Sequence, residues 1–303
     1  MSSYLVTPKE LSDALATNKH VADSSSPRVI PLCAAWFLPN DNQQRTGASV
    51  FRKQHIPTSR FFDLDAVKDH TSPYPHMLPN AADFAQAMGD LGIKKDDKVV
   101  VYDSAELGIF SAPRAAWTLR VFGHGQVHVL NNFRLWVEQG YPVEAGEMVS
   151  FPRVQYPTPD VDLSGVVAFD VIREVARKAK ADGTAQVQIL DARPRGRWHG
   201  TDPEPRPGLS SGHIPGSLSV PFSDLLDPST KTLRPVNELK KVFEQAGVDP
   251  TKPIISSCGT GVTAAVIDAA LNEAGYGSHP LYDGSWTEWA QRVTDDEGLI
   301  QKT

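Results

Sequence analysis

The sequence predicts an α/β protein with two similar domains in tandem, each a mostly parallel sheet flanked by helices. Three observations carry this expectation. A chain of 303 residues is about twice the usual domain size. It repeats itself after about 155 residues, one domain length and longer than any solenoid repeat. Short β-branched runs alternate with segments of helical period, as expected where parallel strands are joined through helices.

The repeat is visible in order along the chain. His55-Ile56-Pro57 returns as His213-Ile214-Pro215, and Phe61-Phe62-Asp63-Leu64 has its counterpart in Val220-Pro221-Phe222-Ser223. Leu91-Gly92-Ile93 followed by Lys98 to Tyr102 returns as Ala246-Gly247-Val248 followed by Lys252 to Ser256, and Trp136 matches Trp289. Between the halves, Phe151 to Asp160 contains Pro152, Pro157 and Pro159, which remove backbone donors and favour extended chain. The expected division is a first domain over 1–149, a Pro-rich linker over 150–164 and a second domain over 165–303. In the second domain, Val187 to Leu190 reads as a strand, Val236 to Gln245 as a helix and Ile254 to Ser257 as a second strand. A helix over Thr263 to Ala274, closed by Gly275, and a last strand over His279 to Tyr282 follow.

Composition narrows the function. Hydrophobic residues make up 40% and charged residues 22%, ordinary for a globular chain. The formal net charge is −6 and no basic run is long enough for the footprint of a nucleic-acid binder, so direct nucleic-acid binding is not expected. No apolar stretch approaches a membrane span, and Met1 to Val6 lacks a basic region leading into an apolar core. The two cysteines, Cys33 and Cys258, are too few for a disulfide framework and fit a reducing compartment. The expectation is a cytoplasmic protein, with a mitochondrial location left open. No C-x-x-C, H-E-x-x-H or dinucleotide fingerprint occurs, so neither a metal nor another cofactor is implied.

The chemistry points to Cys258, in Ile255-Ser256-Ser257-Cys258-Gly259-Thr260-Gly261-Val262-Thr263-Ala264, where a buried strand passes into a helix. Gly259 and Gly261 let the loop curl so that successive amide N–H groups face inward, and the following helix adds its positive end. Such a cradle stabilises an anion, so a thiolate there is favoured and nucleophilic, and an added sulfur would sit among donors. The counterpart in the first half, near Asp103 and Ser104, has no sulfur. A cysteine phosphatase would need Arg six positions after the cysteine, and that position is Ala264. Cys33 reads as a small core residue.

The loop Cys258-Gly259-Thr260-Gly261-Val262-Thr263 resembles that of the 3-mercaptopyruvate sulfurtransferases in the rhodanese superfamily. The likeness extends to Asp191-Ala192-Arg193, Gly196-Arg197, Glu204 to Leu209, Gly212 to Ser217 and Tyr282-Asp283-Gly284-Ser285-Trp286, and in the first half to Phe61 to Asp65 and Thr71 to Pro79. It implies two rhodanese-like domains, the first catalytically silent, with the site between them. It makes Cys258 the nucleophile that carries sulfur as a persulfide, held by the loop from Gly259 through Gly261, Val262 and Thr263. Arg197 and Arg206 become the pair that holds the donor's carboxylate and carbonyl, a task suited to planar guanidinium groups. Arg193 reads as a supporting group. Thr260, His76 and Asp65 resemble a hydroxyl, imidazole and carboxylate relay, with Thr260 where the family commonly has Ser.

Thiosulfate-specific members place basic residues directly after the cysteine. The uncharged Gly259 and Thr260 therefore favour 3-mercaptopyruvate as the small-molecule sulfur donor, with thiosulfate a weaker one. The acceptors the family implies are small thiols, cyanide or thioredoxin. In some eukaryotic members the sulfur passes, with a cysteine desulfurase, to the sulfur carrier-activating protein of tRNA thiolation. The alternative is a sulfur-relay protein loaded by a partner such as that desulfurase, which would not need Arg197 and Arg206 together. His199, His213 and His279 are read as structural.

Overall fold

The computed structural model describes residues 1, 3–18, 27–183 and 185–303. They form two units. Unit 1 comprises Met1–Asp69, Leu78–Asp162 and Ser229–Thr232, and unit 2 comprises His70–Met77, Leu163–Pro228 and Leu233–Thr303. The division therefore does not follow the linker alone, because a short segment from each half belongs to the other half's unit.

In unit 1 the elements run β1 (Leu5–Val6), α1 (Pro8–Thr17), β2 (Val29–Cys33), α2 (Gly47–Lys53), β3 (Arg60–Phe61), α3 (Ala81–Asp90), β4 (Lys98–Tyr102), α4 (Ala112–Val121), β5 (Val127–Leu130) and α5 (Phe133–Glu138). In unit 2 they run β6 (Val166–Val167), α6 (Phe169–Asp182), β7 (Gln188–Asp191), α7 (Arg195–His199), β8 (Ser217–Ser219), α8 (Val236–Gln245), β9 (Ile254–Ser257), α9 (Ala264–Glu273), β10 (Leu281–Tyr282) and α10 (Ser285–Arg292). The sheets have matching orders, β1-β5-β4-β2-β3 and β6-β10-β9-β7-β8, with every described pairing parallel.

Local chemistry explains the elements. Val99, Val100 and Val101 of β4 are fully buried, as the continuous apolar run of a strand covered on both faces requires. In α8, Leu239 and Phe243 lie four residues apart and are both buried, so one stripe of the helix faces the core. Helix α9 ends in paired bonds, Tyr276 N–H to Leu271 O at 2.9 Å and Gly275 N–H to Asn272 O at 3.1 Å. That closure needs the left-handed backbone Gly275 supplies at φ 82°.

The duplication extends to side chains. Trp136 and Trp289 are buried on α5 and α10, and their indole N–H groups donate to Pro142 O and Leu299 O. His55 stacks on Phe51 at 4.0 Å and His213 on Trp198 at 3.8 Å, and each forms an isolated antiparallel bridge with a later residue, Glu144 and Gln301. The Pro-rich residues up to Asp162 pack on unit 1. Tyr156 is buried edge-on to Phe84, with its hydroxyl 2.9 Å from His124 Nδ1. Among the described residues, no helix is long and apolar enough to cross a membrane.

Candidate active site

Strands β7 and β9 are neighbours, with Asp191 opposite Ser257, so the segments leaving their carboxyl ends start side by side. Loops at that end of a parallel sheet are where such folds build their sites. From β9 comes the loop 258–263, and from β7 comes the segment through Arg193, Arg197, Glu204 and Arg206.

Cys258 is 2% exposed and directly follows β9. The two glycines after it have different uses. Gly261 sits at φ 76°, the left-handed turn that bends the chain into α9. Gly259 lies outside that region; its need is space, since a Cβ there would stand 3.1 Å from Arg197 Nη2. A bare backbone at 259 thus lets a guanidinium lie against the loop. Val262 is buried and Thr263, half-buried, caps α9 without a side-chain hydrogen bond. Among the described residues, the N–H groups of Gly259, Thr260, Val262 and Thr263 find no acceptor. Such a set of open donors at a helix start suits a negative charge on sulfur.

The carbonyl oxygens of Cys258 and Gly259 in the same loop are taken. Trp286 N–H donates to Cys258 O at 2.9 Å, and Thr287 donates to Gly259 O through its N–H at 2.9 Å and its Oγ1 at 2.8 Å. Cys258 N–H donates to Ser285 Oγ at 3.2 Å, and Ser285 Oγ donates to Tyr282 O at 2.8 Å. Ser285 holds this place at φ 49°, rare for a residue with a side chain.

Arg197 is positioned by Glu204, which accepts from its Nε at 3.1 Å and its Nη2 at 2.5 Å. Glu204 also accepts from Arg193 Nη1 at 2.8 Å, and Arg193 spends its other donors on Asp191 and Gly212 O. Burial would lower the Arg193 pKa, but Asp191 and Glu204 raise it, so it stays charged. Its guanidinium lies 4.0 Å from the Trp286 ring centre, and the Trp286 indole N–H donates to Ser210 O at 2.9 Å. One connected network therefore links Arg197 through Glu204 and Arg193 to the residue that holds the Cys258 carbonyl. Arg206 lies half-buried just beyond Glu204.

Thr260 is 4% exposed and its Oγ1 lies 3.0 Å from Nδ1 of His76, itself 3% exposed. His76 adopts φ 61° and belongs to the segment 70–77 that groups with unit 2. Asp65 belongs to unit 1, where its Oδ2 accepts the Trp36 indole N–H at 2.9 Å. The structure thus brings Cys258, Gly259, Thr260, Gly261, Val262, Thr263, Arg197 and His76 into one unit and leaves Asp65 in the other. Sequence reading passed over Glu204, Ser285 and Thr287 as positioning groups. Glu204 and Ser285 lay within motifs already singled out, and nothing in the sequence marks Thr287.

In unit 1 the residue after β4, in register with Cys258, is Asp103. Its buried carboxylate accepts from the N–H groups of Phe110, Ser111 and Ala112, each at 2.9 Å, and from Ser111 Oγ at 2.5 Å. The second thiol, Cys33, is buried on β2 and pushed up to about 12 by that burial, so it stays protonated. Among the described residues, no group of His, Cys, Asp and Glu side chains is arranged to hold a metal ion.

A cysteine leading a loop of open amide donors, on a sheet order built twice, is the arrangement of the rhodanese class, and the family model for the rhodanese-like domain matches residues 173–292. The chain is 41% identical to the thiosulfate sulfurtransferase TUM1 of Saccharomyces cerevisiae, over 94% of each chain. It is 39% identical to the 3-mercaptopyruvate sulfurtransferase of Mus musculus, over 95% of this chain and 92% of that one. The crystal structure of the Saccharomyces cerevisiae TUM1 protein superposes with a TM-score of 0.84 at 38% identity, covering 98% of this chain and 97% of that one. The chain belongs to the tandem-domain 3-mercaptopyruvate and thiosulfate sulfurtransferase family, and it is a sulfurtransferase.

Proposed function

We propose that the chain moves sulfur from 3-mercaptopyruvate, and less well from thiosulfate, through a persulfide on Cys258. The Cys258 thiolate attacks the donor's sulfur, a sulfur–sulfur bond forms, and the carbon–sulfur bond breaks with its electron pair left on carbon. The leaving group is the enolate of pyruvate, which takes up one proton. Arg197 and Arg206 hold the donor's carboxylate and carbonyl oxygen and stabilise the enolate charge. Thr260 delivers the proton, supplied through His76, with Asp65 as the carboxylate of that relay by resemblance to the family. An acceptor thiolate or cyanide then attacks the outer sulfur and returns Cys258 to the thiolate. The acceptors are small thiols or thioredoxin, and the sulfur can feed tRNA thiolation by way of a sulfur carrier-activating protein. Two unpaired cysteines fit a reducing compartment, the cytoplasm or the mitochondrial matrix.

The observation that supports this reading most is the guanidinium of Arg197 lying against the side-chain-free Gly259, beside open amide donors. A carboxylate held there would place a donor's sulfur near Cys258. The test is steady-state kinetics of Arg197→Ala, Arg206→Ala and the double variant with both donors. Loss of bidentate carboxylate binding should lower kcat/KM for 3-mercaptopyruvate about a hundredfold or more in the double variant. Negligible 3-mercaptopyruvate turnover in the wild type, beside sulfur transfer from a loaded partner protein that survives in the double variant, would instead mark a relay protein.

A further inference from the structure

We propose that the first turn of α10, Ser285-Trp286-Thr287, is a positioning clamp that aims the loop amides of Gly259 and Thr260 at the sulfur on Cys258. This rests on Cys258 as the persulfide carrier and adds residues outside the loop and outside the donor-binding arginines.

The argument is one of peptide geometry. In a trans peptide the C=O and the following N–H lie in one plane and point in opposite directions. The peptide joining Cys258 to Gly259 has its oxygen pinned by Trp286 N–H, so the Gly259 N–H points away from α10. The peptide joining Gly259 to Thr260 has its oxygen pinned twice by Thr287, so the Thr260 N–H also points away. Both of these N–H groups lack an acceptor among the described residues. On the near side, Ser285 Oγ takes the Cys258 N–H and so fixes the peptide before the thiol. The clamp therefore occupies the carbonyl oxygens of Cys258 and Gly259 and leaves the N–H groups of Gly259 and Thr260 open.

The left-handed backbone at Ser285 belongs to the same device. A residue with a side chain adopts φ 49° only where its surroundings enforce it, and here Oγ is held between Cys258 N–H and Tyr282 O. Thr287 is 4% exposed, and its hydroxyl donates to Gly259 O. Removing that hydroxyl frees the carbonyl to swing and lets the Thr260 N–H drift from its aim, while the Thr287 backbone bond keeps the loop folded.

The test uses the full chain with Thr287→Val, Thr287→Ser and Ser285→Gly, 3-mercaptopyruvate as donor and a small thiol as acceptor. Misdirecting one preorganised donor should lower kcat of Thr287→Val about tenfold. KM should stay within about twofold, because the donor's carboxylate contacts are untouched. Thr287→Ser, which keeps the hydroxyl, should return to the wild-type rate. Single-turnover mass measurement should show slower sulfur gain in Thr287→Val with the same final gain. A purely packing role would shift the unfolding midpoint and leave kcat alone. The proposal is overturned if Thr287→Val turns over at the wild-type rate, or if Thr287→Ser is as slow as Thr287→Val. If Thr287→Val does not fold, Ser285→Gly puts the same question by releasing the Cys258 N–H without adding backbone strain, and a wild-type kcat in it overturns the clamp. A Cys258→Ser control that still gains sulfur would refute the persulfide assignment itself, a different failure.

Discussion

Asp103 and Cys258 occupy the same place in two copies of one fold, and their difference shows how a single residue changes what a loop can do. In unit 1 the donors at the start of α4 are filled by the chain's own carboxylate. In unit 2 the N–H groups of Gly259, Thr260, Val262 and Thr263 find no acceptor among the described residues. Burial pushes the Asp103 carboxyl up to about 6 despite the donors around it. Its folded pKa is thus above the unfolded value, so its contribution to stability is full below about pH 4 and is lost as pH rises through about 6. The size of that contribution is about 3 kcal/mol. Urea midpoints measured from about pH 4 to 7 should therefore fall less steeply in Asp103→Asn than in the wild type. Parallel pH profiles in the two proteins would contradict the assignment.

The sequence located the sulfur-free counterpart near Asp103 and Ser104, because the repeat offset is readable. The cage around Asp103 was not readable, since it depends on residues 110–112 folding back over the strand end. Glu204 is a similar case. Its place in a motif is plain, but its sharing between Arg193 and Arg197 exists only once the segment after β7 has closed on itself.

At the scale of elements, helices carried the clearest signals. Helix α8 has the bounds expected of it, Val236 to Gln245, and α9 ends at the glycine expected to close it. Gly275 gives a clean test, because it sits at φ 82° and a Cβ there would meet nothing within 4 Å. Gly275→Ala should cost about 1 kcal/mol in urea denaturation, from backbone strain alone, with sulfur transfer unchanged. A neutral substitution would mean the closing turn is not held at that φ. Edge strands were far less legible. β1, β3 and β6 are two residues each, too short for any alternation to show, and they form only because a neighbouring strand supplies the partners. The resemblance set His76, from the first half, beside Thr260, but neither composition nor periodicity showed that the segment 70–77 groups with unit 2, or that Ser229–Thr232 groups with unit 1. Contacts of that kind depend on long loops with no periodicity of their own. Both segments do carry a residue with a side chain at positive φ, His76 at 61° and Lys231 at 58°, and composition does not reveal backbone strain.

For the whole molecule, duplication followed by divergence describes the chain. Two sheets share one strand order, and the buried tryptophans and histidines recur in both. Only the second copy has a cysteine at the strand-to-helix loop, followed by open N–H groups at Gly259 and Thr260 and by a guanidinium, that of Arg197, against Gly259. The other thiol is buried in β2 and kept protonated. One chain should therefore carry one transferable sulfur. The most direct measurement is intact-protein mass after exposure to 3-mercaptopyruvate without an acceptor. The account predicts a gain of a single sulfur atom in the wild type and in Cys33→Ala, released by added thiol, and no gain in Cys258→Ser. Sulfur retained on Cys258→Ser, or a wild type that turns over donor without ever carrying sulfur, would contradict it.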